Sequence, residues 1–249
     1  MPADKNHANT IRTALAAVER LRTECQAAPA LATAVSEVKA LQARRFAGTY
    51  ADLLQDRTYQ PAARFFLEEL YSDTDYSARD AQFARIAGAL QKFFPAAVVA
   101  TATALAQLHA LTEALDHAMG NAWLAHPQLE PAQRYVAAWQ SVGRRTDRDK
   151  QLRDVLQIGR ELELLTRMTG LRLMLKMMRG AANAAGMGSL QKFLESGFDT
   201  FAAMGKQKCG TAFFLETVEK RESELIAALF DSGRLEATIL LDGFLSKVR

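Results

Sequence analysis

The sequence predicts an all-α protein that forms a single bundle-like domain of about ten helices. Apolar residues recur every three or four positions through most of the chain, and this spacing places them on one side of an α-helix. No stretch alternates apolar and polar residues as a half-buried β-strand does, and no segment repeats another. Proline and glycine divide the periodic stretches into pieces of helical length.

The most apolar stretch begins at Pro95 and continues to Met119. From Pro95 to Leu111 it carries no charged residue, and a proline is well tolerated in the first turn of a helix. A helix that is apolar on most sides is covered by its neighbours. We therefore predict that this helix lies at the centre of the bundle and ends at the turn-forming pair Gly120–Asn121.

Helices are also predicted before and after this central segment. Ser77 with Asp80 three residues later is a variant of the capping box and predicts a helix that begins at Ser77. The small residues of GAANAAGMGS predict a turn over 180–189. The remaining helices are predicted near residues 10–28, 30–54, 61–71, 131–143, 152–165, 171–179, 189–205 and 211–230.

We expect three parts along the chain. Residues 1–9 have no apolar run and predict a disordered tail. Residues 10–230 form the helical domain, with a weak seam near Gly143. Residues 231–249 are a C-terminal extension, in which apolar residues follow no clear period.

Composition limits the function classes. The net charge of +3 comes from 31 Lys and Arg against 28 Asp and Glu, which is too even to indicate nucleic-acid binding. Cys25 and Cys209 form no metal-type pair, and two thiols in a chain of this size fit a reducing compartment. The N-terminus does not have the pattern of a secretory signal, and the central segment is too short and too mild to predict a transmembrane helix. A cytoplasmic location is therefore expected, and the sequence leaves homo-oligomerisation open.

Four sequence runs resemble a known family. They are FFLEELY at 65–71, DYSARD at 75–80, LHAL at 108–111 and FLESGFDT at 193–200. Together they resemble an uncharacterised family of bacterial, mostly proteobacterial, all-helical proteins over about residues 10–230. The resemblance implies a helical fold and a bacterial context, but no activity and no catalytic residues.

The first candidate site lies on the second half of the central helix. At about 100° per residue, His109, Glu113, Asp116 and His117 fall on one stripe of roughly 100°. Imidazole and carboxylate groups bind iron, zinc or manganese, and helical bundles build metal sites from facing helices, so Glu69 is a candidate facing ligand. Haem ligation is also open. The alternative is that the stripe is the wet side of a mostly buried helix, or that His109 hydrogen-bonds in the core.

The second candidate site is a basic stripe in the run LRLMLKMMR. Arg172, Lys176 and Arg179 share one side of a helix that is otherwise Leu and Met. Such a stripe could hold the anionic head of an acyl ligand, or it could lie against an anionic membrane. The alternative is a core helix whose charged side chains extend into solvent.

Glu68 and Glu69 stand between phenylalanine and leucine residues in one helix. Adjacent helical positions point about 100° apart, so at least one of these carboxylates approaches the core. A buried carboxylate needs a partner, and Arg64 or Arg79 could provide it.

Three functions remain open from the sequence. The first is a non-catalytic binding or scaffold protein that holds a partner protein or an amphipathic ligand in a groove between helices. The second is a metalloenzyme or haem protein that uses His109, Glu113 and His117. The third is a carrier of an anionic or acyl ligand. No nucleophile motif supports an enzyme of the hydrolase type.

Overall fold

A computed structural model describes residues 6–69, 74–207 and 210–248. In these ranges the chain forms twelve helices, packed in one body, and no strand, so the predicted all-α class is confirmed with two more helices than expected. The helices are α1 (His7–Ala27), α2 (Pro29–Thr49), α3 (Ala51–Gln55), α4 (Gln60–Glu69), α5 (Ser77–Phe93), α6 (Ala96–Leu124), α7 (Pro131–Val142), α8 (Arg145–Thr166), α9 (Leu171–Ala184), α10 (Gly188–Met204), α11 (Gly210–Asp231) and α12 (Arg234–Leu245).

Helix α6 is the centre of the structure, as the sequence predicted. It packs against α1, α2, α7 and α8, and within residues 101–120 only Gln107 is exposed. At 29 residues it is longer than expected, and by length and composition alone it could cross a membrane. Its enclosure by four helices is the arrangement of the core helix of a globular bundle.

Of the two turns predicted from small residues, the one at Gly120–Asn121 is wrong because that segment is helical, and the one over 180–189 is much shorter than predicted. Gly120 and Asn121 lie inside α6, where the absence of a side chain lets α2 come close: a Cβ atom on Gly120 would be 2.5 Å from Cγ2 of Val35. Residues 180–184 continue α9, since alanine is the strongest helix former. The turn itself is confined to the residues around Gly186, whose φ is +69°.

Helix α5 begins at Ser77, as predicted, but its cap differs from the prediction. The side chain of Asp75 accepts hydrogen bonds from the backbone N–H of Ser77 at 2.8 Å and from its hydroxyl at 3.0 Å. Asp80, the expected partner in the capping box, turns inward instead and is bound by His109. The capping-box prediction is therefore wrong, because a buried imidazole takes the carboxylate.

The apolar core has three large parts arranged around α6. One joins α2, α7, α11 and α12 at the C-terminal end of α6 and contains Trp123 and Trp139. A second, rich in aromatic rings, joins α2, α3, α4, α8, α10 and α11 around Phe66 and Phe214. The third joins α1, α5 and the N-terminal half of α6 around Ile11.

Both ends of the described chain belong to this body. Residues 7–9, within the predicted N-terminal tail, are the first turn of α1, and residues 1–5 lie outside the described ranges. Within the predicted C-terminal extension, α12 packs on α2 and α7 and buries Leu241 completely. Helices α2 and α12 cross so closely that a Cβ atom on Gly48 would stand 2.0 Å from the carbonyl oxygen of Phe244.

This crossing gives a stability prediction. Gly48→Ala places a methyl group against the α12 backbone, which cannot move aside as a flexible side chain would, so we expect a loss of more than about 2 kcal/mol in the free energy of unfolding. Gly243→Ala, at a helical position with no neighbouring atom within 4 Å, serves as the control and should gain up to about 1 kcal/mol. Urea unfolding measures both, and equal effects of the two variants would contradict the close crossing.

Candidate functional site

An apolar cavity of about 270 Å³ lies between α4, α5, α6, α8, α9 and α10. Among its described lining residues none is charged, and the polar ones are Thr101 and Gln191. Both polar side chains are engaged by protein groups: Thr101 donates to Glu161 at 2.8 Å, and the Gln191 amide donates to the Leu175 carbonyl at 2.6 Å. The cavity surface is therefore almost entirely carbon.

A second cavity of about 110 Å³ adjoins the first and has charged and polar side chains among its apolar ones, and we call it the polar cavity. Seven apolar side chains line both cavities, so the two form neighbouring compartments of one interior space. These shared side chains are Phe66, Phe83, Leu105, Leu108, Val155, Leu190 and Phe193. The charged residues of the polar cavity are Lys39, Arg45, Glu69, Arg79, Asp80, Glu113, Asp116, Arg148 and Glu222, with His109 beside them.

One side of the polar cavity is built around Asp80 of α5. Its Oδ2 atom lies 2.9 Å from His109 Nε2 and 2.9 Å from Arg22 Nη2, and its Oδ1 lies 3.5 Å from Arg79 Nε. Burial alone would raise the pKa of Asp80. The hydrogen bond and charge of His109, followed by Arg22 and Arg79, outweigh it and hold the pKa below its ordinary value.

The opposite side joins α2 to α6. Lys39 Nζ donates to both carboxylate oxygens of Glu113, at 2.7 and 2.9 Å, and the Gln42 amide donates to Asp116 at 3.1 Å. Asp116 is almost fully buried, and desolvation raises its pKa although Lys39 and Arg148 act in the other direction. Desolvation alone would lower the pKa of Lys39. The negative charges of Asp116 and Glu113, with the hydrogen bond to Glu113, outweigh this effect and raise the pKa above its ordinary value.

The floor of the polar cavity is a buried ion pair between α2 and α11. Arg45 donates to Glu222, which also accepts from the hydroxyl of Tyr50 at 2.9 Å. Beside it, the Arg148 guanidinium lies 4.2 Å from the ring centroid of Trp139 and donates to Gln151 at 3.1 Å. These charges are enclosed by their partners, as buried charges must be.

The residues predicted to bind a metal do not all lie in the same place. His109, Glu113 and Glu69 line the polar cavity, whereas His117 lies outside it, with its Nε2 atom 3.2 Å from Glu24. In the described part of the chain, no three His, Cys, Asp or Glu side chains are grouped so that they could hold a metal ion. A metal at the predicted residues would have to displace their present partners, which are Lys39 for Glu113, Arg79 for Glu69, Asp80 for His109 and Glu24 for His117.

The two adjacent glutamates of α4 behave as their spacing predicted. Glu69 points inward and pairs with Arg79 at 3.2 Å, while Glu68 is exposed and lies 4.0 Å from Arg64. The guanidinium of Arg79 also stacks on Phe193, 4.7 Å from the ring centroid, at the boundary between the two cavities.

The basic stripe of α9 faces away from both cavities. Arg172 donates to Asp199 at 2.8 Å and Arg179 to Glu195 at 3.0 Å, in exposed pairs, and Lys176 is exposed. None of these three side chains lines the apolar or the polar cavity, and Arg179 instead lines an open depression on the surface between α9 and α10. A different side of the same helix forms a wall of the apolar cavity through Leu171, Leu175, Met178 and Ala182.

The sequence did not predict that several residues, above all Arg45 and Glu222, line an interior cavity. A signal was present for both. Arg45 follows Leu41 by four residues and Glu222 follows Val218 by four, so each charged residue stands in line with the apolar face of its helix. A charged side chain at such a position requires a buried partner, but the sequence does not show which one.

The polar cavity combines paired charges with neutral polar side chains. Its described lining contains no serine and no cysteine, and its carboxylates and cations neutralise one another. Gln42, Thr112 and Gln151 add neutral donors and acceptors, with Gln151 donating to the hydroxyl of Thr112 at 2.8 Å. The site is therefore suited to hold polar atoms of a molecule whose apolar part occupies the neighbouring cavity.

Asp80 gives a prediction with a defined pH dependence. A carboxyl whose pKa is lower in the folded state stabilises the fold above its unfolded pKa of about 3.9, and this stability is lost as the pH falls through the folded value. Asp80→Asn should therefore cost about 3 kcal/mol at about pH 7, since it leaves His109, Arg22 and Arg79 without their carboxylate, and progressively less in acid. Urea unfolding across pH measures this, with the exposed Glu68→Gln as the control expected within about 0.5 kcal/mol of wild type. A pH-independent loss in Asp80→Asn would contradict the role of its charge.

Asp116 should show the opposite dependence. Because its pKa is raised in the folded state, the unfolded chain releases this proton first, and stability falls as the pH rises above about 4, the ordinary carboxyl value. Asp116→Asn cannot ionise, so its free energy of unfolding relative to wild type should increase from about pH 4 to about pH 7. The same titration of urea midpoints tests it, and a relative stability that decreases over this range would show that Asp116 is stabilised as the anion.

Comparison with known proteins adds a family but no activity. A model described as a domain of unknown function, DUF8198, matches residues 21–235, which includes every side chain named for the two cavities. Helix α12 lies almost wholly beyond this match. No curated protein and no solved structure matches the chain. With most of its length matched, the chain belongs to the family of the domain of unknown function DUF8198.

Proposed function

We propose that this protein binds an amphipathic small molecule, without chemical conversion, in the interior space between its helices. The observation that carries the proposal is the contact between an uncharged cavity of about 270 Å³ and a polar cavity of about 110 Å³. A well-packed domain has few voids larger than a water molecule, because each void forfeits dispersion contacts. A large carbon-lined space beside a polar one therefore fits a ligand that is apolar at one end and polar at the other.

The orientation of the ligand follows from α6, which passes both cavities. Leu105, Leu108 and Thr112 lie on one side of this helix at spacings of three and four residues. Leu105 and Leu108 line both cavities, and Thr112 lines the polar cavity alone. The apolar part of the ligand would lie along the N-terminal half of α6, and its polar end would reach Thr112.

The charges of the polar cavity suit binding better than catalysis. Each carboxylate already has a partner, for example Asp80 with His109 and Glu113 with Lys39. His109 is already hydrogen-bonded to Asp80, and the one aliphatic hydroxyl in the described lining, that of Thr112, accepts a hydrogen bond from Gln151. The paired side chains can instead give a polar end group hydrogen bonds without exposing an uncompensated charge.

A cavity-filling substitution tests the proposal. Ala102 of α6 lines the apolar cavity, and Ala102→Leu should fill part of it, so we expect affinity for an apolar ligand to fall about tenfold or more, while the unfolding midpoint stays equal or rises. Displacement of the neutral fluorescent reporter N-phenyl-1-naphthylamine by dodecanol measures the affinity. Mass spectrometry of an organic extract of the purified protein identifies any retained ligand.

Ala100→Leu is the matched control. It adds the same side chain to an exposed position of the same helix, away from both cavities, and should leave reporter binding unchanged. If wild type, Ala102→Leu and Ala100→Leu bind the reporter equally, or if wild type does not bind it at all, the interior space is not a ligand site.

A further inference from the structure

Helix α9 has two apolar sides, and only one of them is explained by the fold. At 100° per residue, the side that lines the apolar cavity and the side that carries Leu173 and Met177 point in roughly opposite directions. Leu173 is 62% exposed and Met177 is 75% exposed. Gly180 and Ala184 continue this outer side, so it presents no polar side chain. An exposed apolar surface of this kind marks a partner or a membrane.

The charge of α9 identifies the kind of surface it fits. Its fourteen residues include Arg172, Lys176 and Arg179 and no acidic residue. These cations form one stripe along the flank of the outer apolar side, so the helix has the pattern of one that lies in the interface of an anionic bilayer. Lys176 makes no ion pair with any described residue, and the exposed pairs of Arg172 and Arg179 contribute little to stability, so lipid phosphates can compete for them.

A second exposed apolar pair, on α12, shows that exposure alone does not decide the partner. Leu235 and Ile239 are 73% and 64% exposed and are also four residues apart. Helix α12, however, carries Glu236 and Asp242 against a single Arg234. An anionic lipid surface would repel this helix and attract α9.

Helix α9 is flanked by two glycines with positive φ. Gly170, immediately before the helix, has φ +84°, and Gly186, two residues after its end, has φ +69°; both have open space around them. Glycine adopts such conformations without strain and so is suited to a hinge. Between them, α9 packs against α10 and more slightly against α8. It is therefore a wall of the apolar cavity that is flanked by glycines and held mainly by α10.

We propose that the outer side of α9 docks on an anionic lipid bilayer and brings this wall of the apolar cavity against the lipid from which an apolar ligand would come. The Leu173 and Met177 side chains enter the interface, and Lys176, with Arg172 and Arg179, binds lipid phosphates. The link to the cavity rests on the proposed ligand-binding function, but the docking itself does not involve the ligand.

Vesicle flotation of the full chain tests the docking. Binding to vesicles of phosphatidylcholine with phosphatidylglycerol should be about tenfold stronger than binding to phosphatidylcholine alone. Leu173→Ser combined with Met177→Ser should weaken it by about tenfold, and Lys176→Gln by about fivefold. All three side chains are exposed or partly exposed, so the variants should retain the wild-type unfolding midpoint.

The matched control is Leu235→Ser combined with Ile239→Ser on α12, which removes an equally exposed apolar pair and should leave vesicle binding unchanged. Equal binding to both kinds of vesicle, no binding, or a loss in the α12 variant instead of the α9 variant would overturn the inference. These results are independent of reporter displacement. A protein that binds the reporter but not vesicles keeps the proposed function and loses the docking surface.

Discussion

The interior of this protein depends on how the charges on the second half of α6 are satisfied. His109, Glu113 and Asp116 enter the bundle from its most enclosed helix, and an unpaired buried charge costs several kcal/mol. His109 is hydrogen-bonded to Asp80 of α5. Glu113 and Asp116 accept hydrogen bonds from two residues of α2, Lys39 and Gln42 respectively. These contacts help to fix the position of α6 along α2 and α5, because a hydrogen bond weakens steeply when its distance or angle changes.

The same helix explains why polar and apolar spaces adjoin. Its first half carries Ala, Val, Thr and Leu, and large rings from α4, α5 and α10 meet it there without filling the space between them. Its second half requires charged partners, which crowd around a smaller space. The boundary between the two halves is the boundary between the two cavities, and Arg79, stacked on Phe193 and paired with Glu69, lies beside it. Because the residue type changes along α6, the cavity beside its first half is apolar and the cavity beside its second half contains charged side chains.

Local sequence signals were reliable where only neighbouring residues decide the outcome. The inward turn of one of the two α4 glutamates and the enclosure of α6 both follow from spacing along one helix. The signals failed where a distant segment competes. Gly120 indicates a turn by itself, but it lies inside α6, where its missing side chain leaves room for Val35 of α2, and Asp80 is bound in the interior by His109 instead of capping its own helix. Arg45 and Glu222 are separated by 177 positions, so no periodicity within one helix could pair them.

By itself, the sequence determined the helical class, the central helix and the presence of charged residues at positions that must be buried, because each of these depends on the repeat of an α-helix and on the solvation of single side chains. Only the tertiary structure decided which charges neutralise one another, that His109 and His117 lie in different surroundings, and that α9 turns one apolar side to a cavity and the other to solvent. The physical reason is that the pattern along one helix shows which polar side chains will be buried and therefore need a partner. The packing of helices that are distant in sequence decides which group becomes that partner.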